Sequence, residues 1–439
     1  MKVGFISLGC SKNLIDTEIL IGKFKKNRFK IVNIPQEADI IVINTCGFIE
    51  SAKEEAINTI LEMANYKKNK CKFLIVMGCL VERYKEELEK AIPEVDLYIK
   101  FSEYDKLWNK IENLINNSKN EIIEEYNNCE NNIGRVITTS KPTAYLRIAE
   151  GCSNKCTYCA IPYIRGPFIS RKIEDIILEA KHLAENGYKE IIIIAQDTTK
   201  YGIDIYGEPK LVELLNKISR ISGIEWIRFL YSYPETITDE LIELVKENDK
   251  ICKYFDIPLQ HISNSVLKKM NRKSDEEGIR MLINKIRSNI PEVIIRTTFI
   301  VGFPGETKED FETLYEFVKK EKFDKMGVFK YSKEDGTPAA KLPEQINGNT
   351  KNSRYNKIMK LQNDISNEKS QEKLGKEYKV LIENKTFDNK YYIARSYMDS
   401  PEIDGLIFIK NEKENLTGKF AKCKIIDIKN GYDLIGKLI

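Results

Sequence analysis

The sequence predicts an α/β protein in three parts: an N-terminal doubly wound domain, a central partial (β/α) barrel and a small C-terminal antiparallel β-barrel. Three observations carry this. Short, β-branched runs alternate with amphipathic stretches from Met1 to about Ile115, as parallel strands crossed by helices do. The alternation resumes from about Ala144 to Tyr331 with six strand-like runs, which suits an open barrel better than a closed eight-stranded one. Beyond Lys373 the helical period disappears and strand-like runs are broken by turn residues, the pattern of a five-stranded barrel of OB-like size.

In chain order, "KVGFISLG" (2–9), "ADIIVINTC" (38–46) and "CKFLIVMGC" (71–79) read as buried parallel strands, with helices at about 13–26, 50–66 and 81–91. The Asn-rich segment that follows reads as a linker with an edge strand. The barrel strands fall at "AYLRIAEG", "EIIIIAQ", "WIRFLY", "YFDIPL", "VIIRTTFIVG" and "MGVFKYS", and a polar helix (about 349–372) leads out. Turns at 388–390, 399–405 and 411–418 punctuate the tail. The expected boundaries are 1–116, a linker 117–140, 141–371 and 372–439.

The chain has 439 residues, 42% of them hydrophobic, enough for several cores. Its net charge of +4 is too small to argue by itself for a nucleic-acid partner. No apolar run approaches a membrane span, and the stretch before Cys10 is too short for a secretion signal, so a cytoplasmic protein is expected. There, ten cysteines stay reduced and more often bind metal or react than form disulfides. With only His182 and His261 present, cysteine is the natural soft ligand.

"EGCSNKCTYCAIP" (150–162) spaces Cys152, Cys156 and Cys159 as C-x3-C-x2-C. A structural zinc site is closed and four-coordinate, and no second cysteine pair or histidine lies nearby. Three thiolates on one loop suit a 4Fe-4S cluster whose fourth iron stays open to a non-protein ligand. The motif resembles that of the radical S-adenosylmethionine (SAM) enzymes. The resemblance implies that Cys152, Cys156 and Cys159 hold the cluster, that Tyr158 packs by cluster and adenine, and that the open iron chelates SAM, whose reductive cleavage yields a 5′-deoxyadenosyl radical. It also places Gln196 and Asp197 of "IAQDTTKYG" near the SAM amino group. In "FIVGFPGET", Gly302 and Gly305 either let backbone approach a ligand or serve ordinary turns. His261 is either a base or a packed histidine. Arg165, Arg171 and Lys155 lie near the loop, where each is a ligand for a carboxylate or a solvated cation.

Cys10, Cys46 and Cys79 each end a predicted strand, in "SLGC", "INTC" and "VMGC". Parallel strands deliver these ends to one sheet edge, so the thiols either converge at a crevice or are small buried hydrophobes. Cys71, Cys129, Cys252 and Cys423 lack such placement and read as structural. A three-cysteine α/β domain, a radical SAM barrel and a small terminal barrel together resemble the methylthiotransferases. The resemblance implies a second, auxiliary 4Fe-4S cluster on Cys10, Cys46 and Cys79, and a TRAM domain at the C-terminus.

"SLGCSKNLIDTE", "NTCGFIESAKEE", "PLQHISNSVLKKMNR" and the Gln196-Asp197-Thr198 run resemble the branch acting on an aspartate β-carbon of small-subunit ribosomal protein S twelve. The branch acting on a tRNA adenosine is the alternative. A non-catalytic iron–sulfur or zinc protein that binds RNA through its tail is the third reading. Residues 373–439 hold 13 Lys and Arg against 10 Asp and Glu, net +3, where the ribosomal-protein branch tends to an acidic tail. The resemblance implies SAM and two 4Fe-4S clusters as cofactors, with a sulfur donor and a flavodoxin-like or ferredoxin-like electron donor as partners.

Overall fold

The computed structural model describes residues 1–116, 134–410 and 415–439. Cys129, most of the expected linker and the first residues of the 411–418 turn lie outside them.

Strands β1 (Lys2–Ser7), β2 (Lys30–Val32), β3 (Ile40–Thr45), β4 (Phe73–Gly78) and β5 (Leu97–Ile99) form one parallel sheet in the order β2-β1-β3-β4-β5. Helices α1 (Ser11–Lys26), α2 (Glu50–Ala64), α3 (Cys79–Ala91) and α4 (Leu107–Asn116) accompany it. Alternate strand residues serve opposite faces: Ile41, Ile43, Leu74 and Val76 pack on one side, Ile40, Val42, Ile75 and Met77 on the other. Burial on both faces explains why these strands read as continuous apolar runs. The strand order reverses between β1 and β3, and a crevice opens at such a switch point.

The barrel comprises β6 (Thr143–Arg147), β7 (Ala149–Glu150), α5 (Ile161–Arg165), β8 (Ile169–Ser170), α6 (Ile173–Glu185), β9 (Glu190–Ile194), α7 (Ile203–Tyr206), α8 (Leu211–Ser219), β10 (Trp226–Phe229), α9 (Asp239–Glu247), β11 (Tyr254–Gln260), α10 (Asn264–Lys269), α11 (Glu276–Asn289), β12 (Ile294–Val301), α12 (Lys308–Glu321), β13 (Lys325–Lys330) and α13 (Gly348–Gln371). Its six principal strands form two parallel sheets, β6-β9-β10 and β11-β12-β13. Asp256 stitches the seam between them: its carbonyl accepts from Ser232 N (2.9 Å) and its carboxylate from Tyr231 N (3.0 Å). The barrel is open, as the six runs predict.

Strands β14 (Glu377–Lys385), β15 (Tyr391–Ser396), β16 (Ile407–Lys410), β17 (Phe420–Lys429) and β18 (Asp433–Leu438) close into a small barrel, β14-β15-β16-β18-β17. Four of its ladders are antiparallel, while the β16–β18 contact runs parallel. Cys71, Cys252 and Cys423 are packed in apolar clusters, in keeping with structural roles. No helix among the described residues is long and apolar enough to cross a membrane.

Both flanking domains fill the open barrel. Ile15 of α1 and Leu381 and Met398 of the tail join Tyr145, Ile192, Ile194, Trp226 and Tyr254 in one apolar cluster. Helix α1 thus serves two cores, because Leu20 and Phe24 pack on the N-terminal sheet. The tail is also fixed by charge. Glu190 pairs with Arg228 (3.0 Å) and Arg395 (2.5 Å), all three fully buried, and Lys325 pairs with Asp399 (2.9 Å).

Candidate active site

The three thiols of the first domain stand at the sheet's C-terminal edge, with Cys10 and Cys46 flanking the switch point after β1 and β3 and Cys79 after β4. Asn13 lies among them. Its amide donates to the carbonyls of Leu8 (3.0 Å) and Thr45 (3.0 Å), while its Oδ1 accepts from Cys79 Sγ (3.5 Å) and Arg165 Nη2 (2.5 Å). The glycines before two of these cysteines are required by backbone conformation. Gly9 (φ 89°) brings the chain against Cys46, and Gly78 (φ 103°) presses on Asn44 and Thr45, where a Cβ would clash.

The second triplet lies on the loop after β7. Gly151 takes φ 70°, and a Cβ there would run into the Pro167 carbonyl. Thr157 N donates to Met270 O (3.1 Å) and Ala339 N to Thr157 O (2.9 Å), so the loop is clamped from both sides. Cys156 Sγ lies 3.3 Å from the Tyr233 hydroxyl, and Arg272 stacks over that ring at 4.1 Å. Tyr158 packs with Val266, Met270, Phe303, Tyr331 and Ala339.

Neither triplet closes on a single ion: among the described residues no group of three or more His, Cys, Asp or Glu is arranged for one. Burial raises the thiols of Cys46 and Cys152 and pushes those of Cys79 and Cys159 up to about 12. Ligation by thiolates therefore expels protons, and affinity falls in acid.

A polar chain runs from Cys79 across the domain boundary to Glu150, two residues before Cys152, and on to Gln196. Gln196 Nε2 donates to Glu150 Oε1 (2.8 Å), which also accepts from Arg165 Nη1 (3.1 Å). Arg165 Nη2 pairs with Asp16 (2.9 Å) and lies 3.9 Å from Cys79 Sγ. Arg147 binds both Asp16 (2.5 Å) and Glu150 (2.7 Å). Burial works to raise the Glu150 carboxyl, but Arg165 and Arg147 overcome it and hold it at about 2.

Gln196 Oε1 is buried and has no hydrogen-bond partner among the described residues, an acceptor just beyond the end of β9. Asp197 accepts one hydrogen bond at each oxygen, from Asn154 Nδ2 (2.8 Å) and the Thr199 hydroxyl (2.7 Å), and through Asn154 braces the cysteine loop. The backbones of Gly302 and Gly305 are likewise engaged within the protein. Gly302 N donates to Glu306 (2.6 Å), Gly305 N to Glu344 O (3.0 Å), and Lys351 and Lys269 cover the space a Cβ would need. His261 is packed, fully buried, with Nδ1 accepting from Ser263 N (3.0 Å).

The expectation of solvated arginines does not hold for Arg165 and Arg171. Both are buried, Arg171 on Glu179 (2.7 Å) and the Arg147 carbonyl (2.6 Å). Lys155 is exposed. Sequence reasoning missed Asn13, Asp16, Arg147 and Glu150; for the last three the one available signal was a charge on a helix or strand close in sequence to a cysteine, and Asn13 offered none.

Fold and site together define a radical SAM enzyme of the methylthiotransferase class. Family models match in the same three parts: Uncharacterized protein family UPF0004 over residues 2–100, the Radical SAM superfamily over 146–318 and the TRAM domain over 374–439. The ribosomal protein uS12 methylthiotransferase RimO of Alkaliphilus oremlandii is 63% identical across 100% of this chain and 99% of its own length. That of Acetivibrio thermocellus is 51% identical across 100% and 98%. This chain belongs to the RimO methylthiotransferase family. Among solved structures, the radical SAM methyltransferase TsrM of Kitasatospora setae shares the fold at TM-score 0.58 and 12% identity, over 77% of this chain and 76% of that one. The radical SAM enzyme OxsB matches at TM-score 0.52 and 14% identity, over 83% and 56%.

Proposed function

We propose that this chain adds a methylthio group to the β-carbon of an aspartate of ribosomal protein uS12, with one 4Fe-4S cluster on Cys152, Cys156 and Cys159 and an auxiliary one on Cys10, Cys46 and Cys79. The observation that carries this reading is the pair of cysteine triplets, with the Gln196–Glu150–Arg165–Cys79 chain running across the domain boundary from Cys79 to the strand end that opens the second cysteine loop. When bound, the clusters and SAM supply a primary carbon radical, which an unactivated C–H bond requires, and a methylated sulfur for transfer.

The protein's own residues position and shield. The Gln196 Oε1 acceptor suits the SAM ammonium, and Glu150 orients Gln196 through its amide. Tyr158 packs in the apolar cluster beside the loop, and the Tyr233 hydroxyl lies within hydrogen-bond reach of Cys156 Sγ. Asp197 holds Asn154, and with it the loop. Arg165 sets a positive charge beside Cys79, where anionic thiolates gather.

The domains run over 1–116, 141–371 and 372–439, joined by 117–140. A cytoplasmic site of action, an electron donor of the flavodoxin or ferredoxin kind and a sulfur donor complete the reading. The tail's weak net positive charge also tolerates RNA phosphates, so tRNA is the competing substrate. Paired variants test the cofactor assignment. Cys156→Ala should abolish SAM cleavage, and Cys46→Ala should retain it while losing sulfur insertion. Retained methylthiolation in Cys46→Ala would remove the auxiliary role.

A further inference from the structure

The charged side chains on the buried face of α1 have partners, with one exception. Asp16 is held by Arg147 and Arg165, and Glu18 by Arg135 (2.9 Å). Lys12 is 6% exposed yet meets no carboxylate and no hydrogen-bond acceptor among the described residues. Its ammonium lies 3.0 Å from the centroid of the Tyr231 ring. On a side chain this buried, an ammonium with only a ring face for company is short of the solvation it has in water, and an anion would restore it.

The surroundings say which anion. Lys12 stands two residues beyond Cys10 at the N-terminal end of α1, on the edge where the auxiliary triplet gathers. Tyr231, on the other side, follows β10 at the C-terminal end of the barrel, and its carbonyl accepts from Thr198 N (3.1 Å), in the loop that carries Gln196. The ammonium thus lies between the two halves of the active site. Tyr231 also holds an αL-type backbone (φ 64°), which a bulky residue adopts only under constraint, and its N–H is tied to Asp256. The nearby carboxylates Asp16 and Glu150 are already engaged by two arginines, which leaves the Lys12 charge for a ligand.

Accepting the uS12 reading above, we infer that Lys12 is the substrate's carboxylate-binding residue: its ammonium pairs with the side chain of the target aspartate and so fixes the β-carbon, one bond away, between the two cysteine triplets. The class of ligand is an acidic side chain on an extended peptide. A charge-assisted bond in a water-poor junction gives both affinity and register.

The test uses the full chain, anaerobically reconstituted, and two synthetic peptides spanning the uS12 target, one with aspartate and one with asparagine at that position. Binding is read by fluorescence anisotropy for the native chain, Lys12→Met, Lys12→Gln and Lys12→Arg. The native chain should prefer the aspartate peptide by roughly tenfold or more. Lys12→Met and Lys12→Gln should lose that preference with iron content unchanged, and Lys12→Arg should recover part of it. An undiminished preference in both neutral variants overturns the inference, as does loss of iron with the peptide preference intact. If the native chain binds neither peptide, the uS12 reading itself falls, and this inference with it.

Discussion

Arg165, on the barrel side, places Nη2 3.9 Å from Sγ of Cys79, on the opposite side of the domain boundary, while its Nη1 holds Glu150 beside the other triplet. One guanidinium thus touches both halves of the site. Arg165→Gln leaves Asp16 and Glu150 to share Arg147, a loss of up to about 3–5 kcal/mol, the cost of breaking a buried ion pair from one side. Thermal melting should show it, with Arg165→Lys in between because a single ammonium cannot span both partners. An unchanged melting temperature in Arg165→Gln would mean the junction does not depend on this network.

The barrel and the tail meet through Glu190, fully buried between Arg228 and Arg395. Glu190→Gln leaves two buried guanidiniums without their shared carboxylate. The tail should then loosen, and limited proteolysis near the end of α13 should release it several-fold faster than in the native chain. Equal cleavage rates would assign the docking to the Lys325–Asp399 pair and the apolar contacts of Leu381 and Met398.

Gly78 holds φ 103° with its missing Cβ facing Asn44 and Thr45. Gly78→Ala should displace Cys79 and cost the auxiliary cluster selectively. Iron per chain would fall from about eight to about four, with SAM cleavage retained. Full iron content in this variant would show that the strand end accommodates a side chain.

His261 carries an acid sensitivity. Burial pushes its imidazole down to about 3 from an ordinary 6.5, against the opposing pull of Asp310 and with the help of Arg354. Glu306 lies 3.9 Å from its Nε2, with its own carboxyl raised by burial. The unfolded chain takes up a proton below pH 6.5 that the fold refuses until about pH 3, so this group destabilises the protein as pH drops through that window. The slope is about 1.4 kcal/mol per pH unit. Melting curves from pH 7 to pH 5 should be less steep in His261→Gln than in the native chain. Identical slopes would mean that His261 does not remain neutral.

The architecture was legible because its signals are local. Buried strands such as Ile40–Thr45 and Glu190–Ile194 are short apolar runs set between amphipathic helices. Short edge strands β2 and β5 and helix α4 were not foreseen, since three-residue strands carry little periodicity. The cysteines announce themselves by spacing and by strand ends. Their polar setting does not: Asn13, Asp16 and Arg165 become partners only when α1 is laid across the barrel mouth, a relation separated by about 150 residues of sequence. Helix α1 also reads as amphipathic, yet Lys12, Asn13, Asp16, Thr17 and Glu18 are all buried because both of its faces are covered.

The measurement that bears most directly on the account is anaerobic reconstitution followed by incubation with SAM, sulfide and reductant, with purified uS12 and bulk tRNA in the same reaction. Mass spectrometry then locates the added methylthio group. One such group should appear on a uS12 aspartate and none on tRNA. Addition to tRNA alone would contradict the substrate proposed here, while leaving both cysteine triplets in service.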